Sequence, residues 1–204
     1  LEAGDRLGGA AATSEIVPDY RAPAIAHLLE GFPRRIEREL KLARYGLRYA
    51  ARDVPTVALD RDGDHIALPR NRREYAAFSK RLPKDAEAYR ERVALLRAQA
   101  ELVAPLLGQV PPRRDDPDAL KRFLRRAVLR AEWQGRSALG KLMHTLPESI
   151  GDRLDAEFES PLLKGVLAFD ATLGGGEGPY APGTSFRAAW REAIPLQGPG
   201  RLLY

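Results

Sequence analysis

Cysteine is absent from the 204 residues of the sequence, and histidine occurs only three times. The first absence excludes disulfides, thiolate catalysis, and zinc or iron–sulfur sites with cysteine ligands. His27, His65 and His144 are too far apart along the chain to form the i,i+4 pair of a helical metal site. The sequence therefore predicts no metal centre, and the lack of cysteine fits a reducing compartment.

Long apolar runs are also lacking. No segment approaches the roughly 20 apolar residues that cross a bilayer, and the basic-then-apolar pattern of a signal peptide is not found. Hydrophobic residues make up 44% of the chain and charged residues 30%, which is the balance of a globular protein. We expect a cytoplasmic protein. Because the chain opens on Leu1 rather than on Met, we also expect an internal fragment of a longer protein.

The net charge of +5 requires that nucleic acid or an anionic membrane surface be considered as a partner. Most of the excess is arginine spread along the chain. A helix predicted to start at Asp116-Pro117 carries a basic face of Lys121, Arg122, Arg125, Arg126 and Arg130. Proteins that stack bases need exposed aromatic residues among the basic ones. Only Phe123, on the apolar face, and Trp133 are near, so nucleic acid is disfavoured. A peripheral membrane contact stays open, since a basic amphipathic helix is typical of interfacial anchors.

Hydrophobic periodicity predicts an α+β protein that is mostly α. Two apolar runs, residues 56–59 and 65–68, surround an Asp62-Gly63 pair and predict a β-hairpin. A short extended piece over residues 14–17 should end at Pro18. The predicted helices cover residues 33–45, 85–107 with Asp85 as the cap, 116–131, 137–146, 148–158, 160–169 and 184–193. On the helix over residues 85–107, the apolar stripe expected to be buried comprises Tyr89, Val93, Leu96, Ala100, Val103 and Leu107.

The first ten residues carry the pattern with the clearest chemistry. Glu2 reads as the end of a strand, where a carboxylate can accept hydrogen bonds from both hydroxyls of an adenosine ribose. Gly8 and Gly9 let backbone N–H groups approach a pyrophosphate closely, where a side chain would clash. Arg6 adds a positive charge beside those phosphates. An acid, an arginine and a Gly-Gly pair within eight residues predict a dinucleotide-binding loop.

This string resembles the second flavin-binding motif of the flavoprotein oxidoreductases that include amine oxidases and phytoene desaturases. The later chain resembles the phytoene desaturase-type branch, and the resemblance covers about residues 1–190. It is carried by Ala26-His27-Leu28-Leu29, by residues 83–89, by residues 158–164, and by residues 173–179 with 182–184.

The resemblance implies FAD as the cofactor and an apolar, carotenoid-like substrate. It implies that Glu2 holds the ribose and Arg6 lies near the adenosine and phosphates. Leu7, Gly8, Gly9 and Ala10 would supply backbone at the pyrophosphate. The resemblance also implies a partial Rossmann-type flavin domain over residues 1–50, a mostly helical substrate domain over 51–190, and an irregular tail over 191–204.

Two departures from the family pattern bear on FAD binding. The family's G-x-G-x-x-G turn, about twenty residues before the ribose acid, is not in this sequence, so we expect the fragment alone to bind FAD poorly. Where the family has Asp-x-Gly before Ala-His, this chain has Pro23-Ala24-Ile25, which places the local flavin contact in doubt.

His27 reads either as a group near the flavin or as a half-buried hydrogen-bonding residue. No catalytic residue is assigned. The alternative function is a basic helical module that binds anionic lipid or nucleic acid without catalysis.

Overall fold

The computed structural model of the chain describes residues 3–5, 7–9, 12–23, 28–29, 31–52, 54–107, 109–113, 115–119, 121–123, 125, 136–197 and 201–203, without the side chains of 28, 136–139, 196–197 and 201–203. The backbone divides into two compact units. Unit 1 comprises Leu1–Val54 and Gln197–Tyr204, and unit 2 comprises Pro55–Leu196. The assignment of these parts to a flavin domain and a substrate domain stays a prediction.

Unit 1 contains two small antiparallel sheets. Strands β1 (Thr13–Val17) and β2 (Tyr20–Pro23) form a hairpin whose turn places Asp19 at φ 69°. The extended piece predicted before Pro18 is therefore confirmed. The second sheet has the order β3 (Leu28–Leu29), β7 (Arg201–Leu203), β4 (Tyr49–Arg52).

Two expectations for unit 1 and the chain's end need correction. The helix predicted over residues 33–45 is broken into α1 (Arg34–Glu39) and a short 3₁₀ turn (Leu42–Tyr45), with Lys41 left-handed at φ 52° between them. The expected apolar face is not buried, since Leu40 is 57% exposed, and little packing holds a longer helix together. The tail is not irregular either, because its last described residues form the central strand β7, whose partners lie far away in the sequence.

Unit 2 begins with the predicted hairpin, which is confirmed. Strands β5 (Val57–Leu59) and β6 (His65–Ala67) pair antiparallel, with Ala58 opposite Ile66. Gly63 takes φ 80° in the turn, a conformation that favours glycine. The described residues of unit 2 include six helices with defined bounds: α2 (Arg72–Arg81), α3 (Ala86–Leu107), α4 (Arg136–Thr145), α5 (Ile150–Glu157), α6 (Pro161–Thr172) and α7 (Thr184–Gln197).

The two helix starts predicted at Ser160-Pro161 and Asp116-Pro117 are confirmed by side-chain capping hydrogen bonds. Ser160 accepts a hydrogen bond from the Leu163 N–H at 3.3 Å, with Pro161 at the first helical position. Asp116 accepts from the Ala119 N–H at 2.8 Å, which confirms the start at Asp116-Pro117, and residues 117–119 and 121–123 are helical. These caps use side chains close in sequence, and for that reason the sequence reveals them.

Asp85 is the exception among the caps. Its backbone opens α3, but its carboxylate accepts from the N–H groups of Glu159, at 2.7 Å, and Ser160, at 3.0 Å. The side chain thus anchors the segment before α6 rather than its own helix. Because these partners lie about 75 residues away, local sequence could not reveal the role, and the prediction that the Asp85 side chain caps α3 is wrong.

Two packed clusters form the core of unit 2. The larger brings the hairpin, α2 and the start of α3 onto α5 and α6, with Ile150, Leu154 and Leu163 at most 1% exposed. The smaller joins the second half of α3, through Ala100 and Val103, to α4 and α7. The predicted stripe on α3 is largely confirmed, although Val93 is 39% exposed. The mostly helical α+β class is confirmed; the Rossmann-type assignment stays a prediction.

Candidate functional site

The predicted dinucleotide loop belongs to unit 1, and the structure describes its centre. Leu7, Gly8 and Gly9 are described, whereas Glu2, Arg6 and Ala10 lie outside the described residues, as do residues 24–27 with His27. Leu7 is 83% exposed, so its side chain is not part of a core. What can be tested in the structure is therefore the backbone of the Gly-Gly pair.

Both glycines adopt left-handed backbone conformations. Gly8 has φ 121° and Gly9 φ 51°, and the Ala12 N–H donates to the Gly9 carbonyl oxygen at 3.0 Å, which closes a tight turn. A Cβ on Gly8 would lie 3.2 Å from the Ala12 Cα, so a side chain at that position would crowd the backbone. A Cβ on Gly9 would meet nothing within 4 Å. The turn thus offers bare backbone beside open space, which fits a pyrophosphate group.

A separate cavity of about 710 Å³ lies within unit 2, among α3, α4 and α5. Cavities of this size hold small organic ligands. One face of α3 forms its first wall, because residues three, four and seven positions apart share a helix face. The lining comprises Ala88, Glu91, Arg92, Ala94, Leu95, Ala98 and Gln99 from α3, Lys141, His144 and Thr145 from α4, and Glu148, Arg153 and Glu157 from α5 and the turn before it.

Arg92 is the most unusual group of this cavity. Its side chain is only 4% exposed, and its Nη1 lies 3.8 Å from Glu157 Oε1, beyond hydrogen-bond distance. Its Nη2 and Glu157 Oε2 are both buried without a hydrogen-bond partner. Burial lowers the pKa of Arg92, opposed by the nearby carboxylate of Glu157. A buried cation without a hydrogen bond is costly, so this pair calls for a further partner.

Other buried and half-buried polar groups of the lining have hydrogen-bond partners. Arg153 Nε donates to Glu157 Oε1 at 2.5 Å, and Arg153 Nη1 donates to Glu148 Oε1 at 3.3 Å. The buried Gln99 Nε2 donates to Thr145 Oγ1 at 2.8 Å. Among the lining residues, the buried side-chain atoms without a hydrogen-bond partner are Arg92 Nη2 and Glu157 Oε2, at the contact between these two residues.

The sequence reasoning missed this cavity. Its only local signal was a polar pair, Arg92 and Gln99, seven residues apart within an otherwise largely apolar run of α3. The groups that complete the site come from α4 and α5, and the pair Gln99–Thr145 spans 46 residues. No spacing of residues in the sequence predicts such a contact.

A second cavity of about 530 Å³ lies between the β5–β6 hairpin and α6. Its lining is mainly apolar and includes Val57, Ala58, Leu162, Val166 and Phe169. Phe169 is 58% exposed, so this surface is open at the edge of the larger core cluster.

The predicted basic face is described only in part. Arg122 and Lys121 lie near acidic neighbours, 3.8 Å from Asp116 and 3.9 Å from Asp118, while Arg126 and Arg130 are outside the described residues. In the part of the chain that the structure describes, no helix has the length and apolarity to cross a membrane. The same part shows no cluster of three metal-ligating side chains.

Comparison with known proteins finds several relatives, among them two mammalian proteins of the same name. The chain is 28% identical over 198 residues to the pyridine nucleotide-disulfide oxidoreductase domain-containing protein 2 of Mus musculus, covering 88% of this chain and 34% of that protein. The protein of the same name from Rattus norvegicus is 27% identical over 198 residues, with the same coverage. The chain thus spans about a third of the length of these relatives. No protein-family model matches the chain, and no solved structure matches it.

Both relatives are named for a pyridine nucleotide-disulfide oxidoreductase domain. They do not select the phytoene desaturase branch, so the resemblance to that branch is supported only at the coarser level.

Proposed function

We propose that the chain is part of an FAD-dependent oxidoreductase, similar to the phytoene desaturases, that acts on a largely apolar organic substrate. In this proposal unit 1 holds the adenosine diphosphate half of FAD, and unit 2 contributes to binding the substrate. The observation that carries it is the acid–arginine–Gly-Gly string at the start of a chain whose relatives are named as oxidoreductases.

The geometry of the Gly-Gly turn supports the proposed cofactor contact. Gly8 cannot carry a side chain without crowding Ala12, and the space beside Gly9 is open. Backbone N–H groups in such a turn can approach phosphate oxygens. Glu2 would accept hydrogen bonds from the ribose hydroxyls, and Arg6 would supply positive charge.

The chemistry divides between cofactor and protein. FAD, when bound, supplies the acceptor for a hydride. The protein's own residues then bind and orient the substrate and exclude water, so no acid–base pair is required and no catalytic residue is proposed.

The absorbance spectrum of the purified full-length protein tests this proposal. We expect the visible bands of an oxidised flavin, bleaching with reductant, and release of FAD on denaturation. A full-length protein that is colourless as purified and gains no flavin spectrum on incubation with FAD would refute it.

A membrane contact and a cytoplasmic location remain predictions, and they do not depend on FAD. The basic stretch around Lys121 and Arg122 motivates the first. Flotation with liposomes that contain or lack anionic lipid tests it, and equal recovery in both would remove the hypothesis. The alternative of a non-catalytic basic module would require such binding together with a full-length protein that takes up no flavin.

A further inference from the structure

We propose that the cavity among α3, α4 and α5 binds a neutral, hydroxyl-bearing amphipathic molecule, with its hydroxyl group at Arg92 and Glu157. That this molecule is the substrate of the full-length enzyme rests on the proposed function. The binding itself rests only on the cavity and its lining.

The first step is the pair of unsatisfied atoms. Arg92 Nη2 is a donor without a partner, and Glu157 Oε2 is an acceptor without a partner. Both atoms are buried so deeply that bulk water does not reach them. Both side chains line the cavity, and in the proposal a rotation of either side chain brings its free atom to it. A single hydroxyl group can accept from the one and donate to the other.

The second step is the charge of the lining, which favours a neutral ligand. Besides His144, the charged lining consists of three cations and three carboxylates. The cations are Arg92, Lys141 and Arg153, and the carboxylates are Glu91, Glu148 and Glu157. A carboxylate ligand would bring an unbalanced charge and would approach the free oxygen of Glu157. An ammonium ligand would meet the guanidinium of Arg92 in the same way. Either would carry a desolvation cost that a hydroxyl group avoids.

The third step is the wall of small and apolar residues on α3. Ala88, Ala94, Leu95 and Ala98 line the cavity beside the polar spot. Alanine side chains leave room along the helix, so an apolar body can lie there while the hydroxyl group reaches Arg92. A fully apolar molecule would leave the Arg92–Glu157 pair unsatisfied.

Isothermal titration of the full-length protein with octan-1-ol, octanoate and octylamine tests the proposal. We expect octan-1-ol to bind roughly tenfold tighter than either charged analogue, as expected for the gain of a buried hydrogen bond. The substitution Arg92→Met should weaken octan-1-ol binding by about the same factor. Arg97→Met, on the same helix with a side chain 70% exposed, is the matched control and should leave binding unchanged.

A second variant keeps the test valid if Arg92→Met does not fold. Ala98→Phe places a bulky side chain on the lining without removing a charge, and it should weaken octan-1-ol binding. The proposal is overturned if octanoate or octylamine binds tighter than octan-1-ol, if octan-1-ol does not bind, or if Ala98→Phe binds it as the wild type does. The flavin content of the same preparation is read separately, so failure of the cavity and failure of the proposed function are distinguishable.

Discussion

The two units differ in where their recognisable sequence and their packing lie. Unit 1 carries the string predicted to bind a dinucleotide, yet none of its described side chains is fully buried, and Ile16 on β1 is 70% exposed. Unit 2 carries no comparable motif, yet Leu154 and Leu163 are at most 1% exposed. The difference teaches that a motif and a stable core are separate properties of a chain. The motif predicts a ligand from local sequence, whereas the core positions a cavity that no sequence motif predicts.

The largest expected effect comes from removing a core side chain of unit 2. Leu163→Ala deletes a fully buried side chain on α6 and should lower the free energy of unfolding by about 3 kcal/mol. Ile16→Ala in unit 1 should change it by less than about 0.5 kcal/mol, because that side chain is mostly exposed. Urea denaturation of the two variants measures both. Equal losses would break the comparison.

The next effect concerns the long-range anchor of unit 2. Asp85→Ala leaves the N–H groups of Glu159 and Ser160 without their acceptor and should cost about 2 kcal/mol. Asp85→Asn should cost less, since its remaining carbonyl oxygen can still accept. Asp118→Ala, at a side chain 75% exposed, is the control and should stay within about 0.5 kcal/mol. An Asp85→Ala variant as stable as this control would show that the anchor contributes nothing.

The last effect, confined to alkaline solution, is a pH dependence of the unit 2 core. Burial, with a smaller contribution from Glu192, raises the pKa of Tyr89 from 10.0 to about 12. The unfolded chain therefore releases this proton first, so stability should fall as pH rises from about 10 to about 12. The slope for one proton is about 1.4 kcal/mol per pH unit. Tyr89→Phe should remove that part of the slope, and an unchanged slope in the variant would contradict the assignment.

The sequence predicted those parts of the fold that depend on neighbours in the chain. The β5–β6 hairpin follows from Asp62-Gly63, and the start of α6 follows from Ser160-Pro161. The break at Lys41 was missed because hydrophobic periodicity does not show whether a helix face finds a packing partner. Strand β7 was missed because its pairing with β3 and β4 joins the two ends of the chain.

The candidate sites divide in the same way. The loop at Gly8-Gly9 was predicted from adjacent residues, and both glycines take positive φ there; its role in cofactor binding stays a prediction. The contribution of Glu2, Arg6 and Ala10 stays a prediction. The cavity was not predicted, because Arg92, Thr145 and Glu157 come together only when α3, α4 and α5 pack.

The most direct test of the central claim compares FAD affinity in two matched glycine variants of the full-length protein. Gly9 and Gly46 both have positive φ, 51° and 92°, and a Cβ on either meets nothing within 4 Å, so an alanine at either position strains the backbone without a clash. Only Gly9 belongs to the proposed phosphate contact. We predict that Gly9→Ala raises the Kd for FAD by about tenfold or more, while Gly46→Ala changes it by less than roughly twofold. Equal affinities in the two variants would contradict the claim that the Gly-Gly turn holds the cofactor.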